Sequence, residues 1–336
     1  MENVGQTSNR GVELSLTGYI IDRPDFTLNA TFNIGRNKNK IDKLASGEKE
    51  MVLSSGWAGS QLLNSDDYRA YVGGTTGLIY GFVNDGFYTV DDFKPFDSKS
   101  RTWTLKDGVV NSSPLSGDPR PGNAKFKKLT PVDENSANPY TLTDDDRTVI
   151  GNTTPKFSGG FGLNATFKGF DVSAFFNFMY DFDVFNANKV MMTTWASNNY
   201  NNFSMDISAA KRWRNFDDMG NEIRYSPEIL AEFNKNATMW NPTSIGRPIA
   251  MSYAVEDGSF LRLNTATIGY TLPRVWTNKV GLSRVRFYAS GYNLFTITGY
   301  SGYDPEVDIA TGLTPNIDNN RYPRSRTYTF GVQLTF

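Results

Sequence analysis

The closing stretch Tyr328 to Phe336, YTFGVQLTF, carries an apolar side chain at every second position and ends on an aromatic. Side-chain direction along a strand alternates with a period of two, so Tyr328, Phe330, Val332, Leu334 and Phe336 share one face. Thr329, Gly331, Gln333 and Thr335 share the other. A strand of this length, apolar on one side and polar on the other, is suited to crossing hydrocarbon at a tilt. The chain is therefore expected to be all-β, an antiparallel transmembrane sheet in the bacterial outer membrane. This last strand is read as the one that guides barrel assembly.

Four further segments alternate almost without error. Gly11 to Ile20 offers Val12, Leu14, Leu16, Gly18 and Ile20, and Asp25 to Gly35 offers Phe26, Leu28, Ala30, Phe32 and Ile34. Phe157 to Phe167 and Phe170 to Tyr180 do the same, with Phe175 and Met179 as apolar exceptions on the polar face of the second. No charge falls on the apolar face of any of them, where a mid-depth Lys or Arg costs ~2–4 kcal/mol. Arg284 to Phe295 adds a strand that would point Arg286 into an aqueous lumen. Gly258 to Leu272 changes phase midway: Leu261 and Leu263 lie on one face, Ile268 and Tyr270 on the other, and a bulge near Asn264 reconciles them.

Connections are either very short (Ile21 to Pro24, Lys168-Gly169, Pro273 to Ser283) or long and rich in Asn, Asp, Gly and Pro. The long ones, near 36–65, 91–156, 181–257 and 296–324, are assigned to the exterior and the short ones to the periplasm. Two weaker segments, Asp67 to Val72 and Gly77 to Tyr88, raise the expected count to about nine strands. Single-chain bacterial barrels have even strand numbers, so the chain is expected to be the C-terminal part of a larger barrel.

Composition removes most chemistry. With no Cys and no His, thiol nucleophiles, disulfides, imidazole bases and the usual zinc sites are excluded, and no enzyme is expected. A formal net charge of -1 offers no footprint for nucleic acid, and Lys125, Lys127 and Lys128 are read as solvated loop charge. No apolar run approaches a membrane helix, and no secretory leader is visible in the first thirty residues.

The stretches GVELSLTGYIIDRPDFTLNATFNIGRNKNKIDKL, TPKFSGGFGLNATFKGFDVSAFF, NLFTITGYSGYDPEV (Asn293 to Val307) and YPRSRTYTFGVQLTF (Tyr322 to Phe336) closely resemble the C-terminal barrel region of SusC/RagA-type TonB-linked outer-membrane transporters. The likeness runs from about Val12 to Phe336. It implies a barrel of about 22 strands with an N-terminal plug. It also implies a SusD-like surface lipoprotein as partner, coupling to TonB through the missing N-terminal part, and import of oligosaccharides or peptides. The plug and the first half of such a barrel have no counterpart here, so this segment is expected to bind and line a route without performing energised transport alone.

Within the loops, Trp57, Trp195, Tyr200, Trp213, Trp240 and Tyr253 are candidates either to stack on a ligand or to pack a loop core. Those read as ligand-contacting are Trp195, Tyr200, Trp213, Trp240 and Tyr253. Ser226 to Asn236 has an N-cap Ser and a Pro at the first helical position, which predicts a short helix. No cofactor is expected. The contiguous Asp144, Asp145 and Asp146 lack the alternate spacing of a calcium loop and are read as solvated, with a loop calcium as the lesser reading. The alternative for the whole chain, a soluble β-rich carbohydrate-binding surface module, requires the apolar rows to turn inward against each other.

Overall fold

The computed structural model describes residues 5–64, 66–194, 203–307 and 312–336. Seven long strands form one sheet: β1 (Gly5–Arg23), β2 (Phe26–Leu44), β3 (Phe157–Phe167), β4 (Phe170–Tyr180), β5 (Phe260–Thr271), β6 (Arg284–Thr298) and β7 (Thr327–Thr335). Each pairs antiparallel with its neighbours in chain order, and the two outer strands do not meet. The result is an open wall with two free edges, not a closed barrel.

Register lines the apolar rows up across the wall. Phe26, Phe167, Phe170, Tyr270, Phe287 and Val332 stand side by side, as do Leu28, Ala165, Val172, Ile268, Ala289 and Phe330. The first row lies next to the short turns and is mostly aromatic, as expected of an interfacial girdle. Its rings touch, with Phe170 and Tyr270 centroids 4.4 Å apart and Phe26 edge-on to Phe167 at 6.2 Å. These rows face outward, and Leu163, Phe167, Val172, Ile268, Phe287 and Phe330 are all exposed. That exposure removes the soluble-module reading, in which they would form an interior.

The opposite face is mostly polar, and several of its side chains pair with one another. Asn164 donates to Asn29 across the β2–β3 pair at 3.0 Å, Thr27 bonds Thr166, and Arg286 donates through Nε to Asp171 at 2.8 Å. Against β4, Asn264 is the extra residue in β5, since Thr265 and Leu263 pair with the consecutive Phe175 and Phe176; against β6, Asn264 faces two residues, Asn293 and Leu294. The slip returns Leu261 and Leu263 to the outward face. A second bulge falls at Ile20, so Ile21, not Ile20, stands opposite Leu28. The tight β3–β4 turn uses Lys168 at φ 46° and Gly169 at φ 90°, the left-handed pair that matches strand twist in two-residue hairpins.

The long connections (45–156, 181–259 and 299–326) leave the same end of the wall, and their described residues fold into one cap. Here the expected strand count is corrected from nine to seven. Residues 67–72 and 77–88 contribute Tyr68–Tyr71 and Leu78–Gly81 to a four-stranded cap sheet with Glu50–Leu53 and Thr148–Asn152. Leu78, Ile79, Tyr80 and Gly81 are all buried, the mark of a strand covered on both faces. The stretches 36–65 and 91–156 are accordingly parts of one excursion. The first of them starts later than expected, because β2 continues through the polar run NKNKIDKL to Leu44.

The cap has a core of its own. Tyr68, Phe126, Phe185, Trp240, Met251 and Ile317 belong to one buried cluster drawn from all three connections. A three-stranded sheet ties two of them directly, with Asp183–Asn186 between Val255–Asp257 and Ile317–Asp318. The helix expected near Ser226 spans Pro227–Phe233, with the proline opening it; the Ser226 side chain makes no capping bond.

Candidate functional site

The structure divides the candidate aromatics by burial. Trp213 and Trp240 are 3% and 2% exposed, so their faces lie against protein. Trp240 donates its indole N–H to the Thr193 carbonyl at 3.1 Å and meets Tyr253 edge-on at 4.8 Å. Trp213 packs on Phe87 at 5.7 Å, and Trp57 on Phe185 at 5.5 Å. Tyr253 is half-buried beneath Lys189, whose ammonium sits 4.4 Å from the ring centroid. Burial and the nearby Asp206 and Glu256 carboxylates raise the Tyr253 hydroxyl well above its usual range. Trp195 and Tyr200 lie outside the described residues.

Aromatics that do reach solvent come from another loop. Tyr303 and Tyr322, 85% and 91% exposed, flank a cavity of about 710 Å³ whose wall includes Asn186, Asn188, Lys189 and Asn320. Tyr303 sits on a backbone fixed on both sides. Before it, Tyr300 is buried and donates its hydroxyl to Asp318 at 2.7 Å, and burial together with that carboxylate raises its pKa strongly. Ser301 donates its N–H and hydroxyl to Glu256 at 2.9 and 2.8 Å. A side chain at Gly302 would strike the Tyr300 ring at 2.4 Å, so only glycine lets the loop lie this close.

After Tyr303, Asp304 and Glu306 hold Arg262, which is buried near the cap end of β5. Arg262 Nη2 donates to Asp304 Oδ1 at 2.6 Å, and its Nε lies 3.1 Å from Glu306 Oε2. Burial pushes the Asp304 carboxyl up, but the bonds from Arg262 and the Glu306 N–H outweigh it and leave the pKa below the ordinary value. The motif SGYDPEV therefore seats its acidic residues on the wall and leaves its tyrosine unbound. Glu256 is similar: burial raises it, while Ser301, Lys189 and Asn186 together lower it below the usual carboxylate value.

The wall amides of the cavity hold one another in place. Asn188 donates to Asp318 at 3.0 Å and accepts from the Asn320 N–H at 2.9 Å, and Asn186 donates to Glu256 at 3.1 Å. Fixed amides, the Lys189 ammonium, the Arg321 guanidinium, the Asp206 carboxylate and two exposed phenol rings make a surface suited to hydroxyl-rich or amide-rich ligands. The sequence signal for Tyr303 lies in NLFTITGYSGYDPEV, in a part of the stretch that neither alternates nor contains tryptophan.

Asp146 departs from the solvated-loop expectation. It is fully buried and accepts from the N–H groups of Leu129, Thr130 and Thr143 at 2.8–2.9 Å and from the Thr130 hydroxyl at 2.7 Å. Lys128 lies 3.3 Å away and is itself nearly buried, not solvated loop charge. Burial alone would raise the Asp146 pKa, yet these donors outweigh it and hold it at about 2. Its oxygens are taken by protein donors; among the described residues no group of three or more acidic side chains is placed to hold a metal ion.

A sheet with an exposed apolar face, a polar inner face and every long connection at one end defines the wall of an outer-membrane β-barrel. No family model matches the chain. It is 30% identical over 342 residues to the TonB-dependent receptor P3 of Formosa agariphila, a match covering all of this chain and 29% of that protein. It is 24% identical over 342 residues to the TonB-dependent receptor SusC of Bacteroides thetaiotaomicron, covering all of this chain and 27% of SusC. Among solved structures, the RagAB peptide transporter shares the fold at a TM-score of 0.69 and 22% identity, over all of this chain and 30% of that one. The chain is thus homologous to SusC-like TonB-dependent outer-membrane receptors, and it spans less than a third of the length of each of these relatives.

Proposed function

We propose that the chain forms the C-terminal wall and exterior cap of a TonB-dependent transporter that binds oligosaccharides or peptides and imports them across the outer membrane. A SusD-like lipoprotein would work with it at the surface, and TonB would act through a plug contributed from outside this segment. The observation that carries the reading is the outward apolar face that register carries across the seven strands, joined to a relatedness that extends along the whole chain. In this reading Tyr303 and Tyr322 contact the ligand, while Trp213 and Trp240 shape the cap that presents them. The row ending in Phe336 marks the chain for barrel assembly.

The test is titration of the full receptor with panels of neutral oligosaccharides and short peptides, beside the double variant Y303A/Y322A. Binding of one panel, weakened tenfold or more by the double substitution with heat-modifiable folding intact, is the expected result. Binding that ignores both tyrosines would overturn the site, and no uptake of either panel in cells carrying the intact receptor would overturn the function.

A further inference from the structure

The upper half of the β1–β2 hairpin separates its charges by face. Outward positions on β2 run Phe26, Leu28, Ala30, Phe32 and Ile34, and continue without a register break to Arg36, Lys38 and Lys40. Register sets Arg10 of β1 directly opposite Lys38 and Val12 opposite Arg36. Four cations therefore stand on the membrane-facing side immediately above the apolar band. The inward side of the same stretch is neutral: Asn37 and Asn39 both donate to Asn9, at 3.5 and 3.0 Å.

Two neighbours fix the height of this ladder. The Arg36 guanidinium lies 5.7 Å from the centroid of the Phe157 ring, and Phe157 pairs with Tyr180; both are outward aromatics at the cap end of their strands, where an interfacial girdle belongs. Each further pair of residues climbs about 6.6 Å along the strand, which carries Lys38 and Lys40 through the headgroup layer. All four side chains are exposed. Among the described residues the only acidic group in contact is Asp42, 3.8 Å from Lys40. A row of cations would serve little purpose against neutral lipid, whereas phosphate groups are strong partners for Arg and Lys.

We propose that Arg10, Arg36, Lys38 and Lys40 form a binding site for the phosphate groups of a glycolipid in the outer leaflet. The site depends on the membrane orientation of the wall and not on the ligand assigned to Tyr303 and Tyr322, so either can fail without the other.

The experiment uses the full receptor, folded in a maltoside detergent, with bisphosphorylated lipid A, the same lipid stripped of phosphate, and inorganic phosphate as competitor; bound lipid is counted by native mass spectrometry. Wild type is expected to retain the phosphorylated lipid and release the stripped one. Removing each charge should weaken retention about fivefold, and R10Q/R36Q/K38Q/K40Q about a hundredfold or more, since near charges do not add fully. N37S/N39S, on the inward face, should leave retention unchanged. Equal retention by wild type and the quadruple variant overturns the site, as does displacement by equimolar inorganic phosphate. Should the quadruple variant fail to fold, the wild type decides alone: equal retention of the two lipids overturns the proposal, and preference for the phosphorylated one supports it.

Discussion

In the wall, Phe330 is 80% exposed and its neighbours in the row are other outward side chains; in the cap, Phe126 is fully buried at 0%. The residue type is the same and the solvent differs. Lipid receives the apolar face of the wall, so each strand needs only to keep its period, and the polar partners on the other face are local pairs such as Asn29 with Asn164. The cap stands in water and must enclose its own apolar residues, which it does with pieces from three connections that share no period. One region is written as a repeating pattern, and the other as long-range complementarity.

The sharpest way to break this contrast is to remove a large side chain from the cap core. Trp240→Ala should cost the cap about 3–5 kcal/mol through the cavity it leaves. It would be read as protease sensitivity of the loops while the wall keeps its heat-modifiable migration. Loss of migration together with the loops would mean that cap and wall fold as one unit. Next in size, Leu163→Arg places a charge at mid-depth on the outward face and should cost ~2–4 kcal/mol in liposomes. Ser173→Arg, inward on the adjacent strand, should be nearly silent; similar losses from both would show that the inner face is not wet.

Asp146 supplies a smaller effect with a pH signature. Its folded pKa of about 2 lies below the ordinary 3.8, so its stabilisation is fully present above pH 4 and is lost as pH falls toward 2. The gap corresponds to about 2 kcal/mol. Asp146→Asn should remove that acid dependence and weaken the 124–152 segment by a comparable amount, measured by hydrogen exchange across the cap. An unchanged acid profile would mean that Asp146 does not set it. Smallest of all, Phe330→Ala should change stability in detergent by under about 0.5 kcal/mol, because an exposed ring leaves no cavity. A larger loss there would show that the wall, too, relies on packing.

The same contrast explains what could be read from the sequence. Alternation identified every one of the seven wall strands, and the phase slip at Asn264 located a bulge, because a period of two records a face directly. It failed where polar residues formed a strand, as in Arg36 to Leu44, whose pairing with β1 is supported by an asparagine ladder and not by apolar rows. It placed the strand at Leu78–Gly81 in the wall and not in the cap, because a strand buried on both faces has no alternation to show which solvent it meets. Burial of Trp213 and Trp240, and exposure of Tyr303, were beyond local pattern: they depend on partners such as Phe87, Thr193 and Arg262 that lie far off in the chain.

Tyr68 donates its hydroxyl to the Pro315 carbonyl across 247 residues, and Asn319 reaches the Trp57 carbonyl across 262. Such clasps cannot close until the last hairpin has delivered its loop. Each wall strand needs only its neighbours in the chain, whereas the cap core is complete only when the first, second and last connections have all been delivered to the same end.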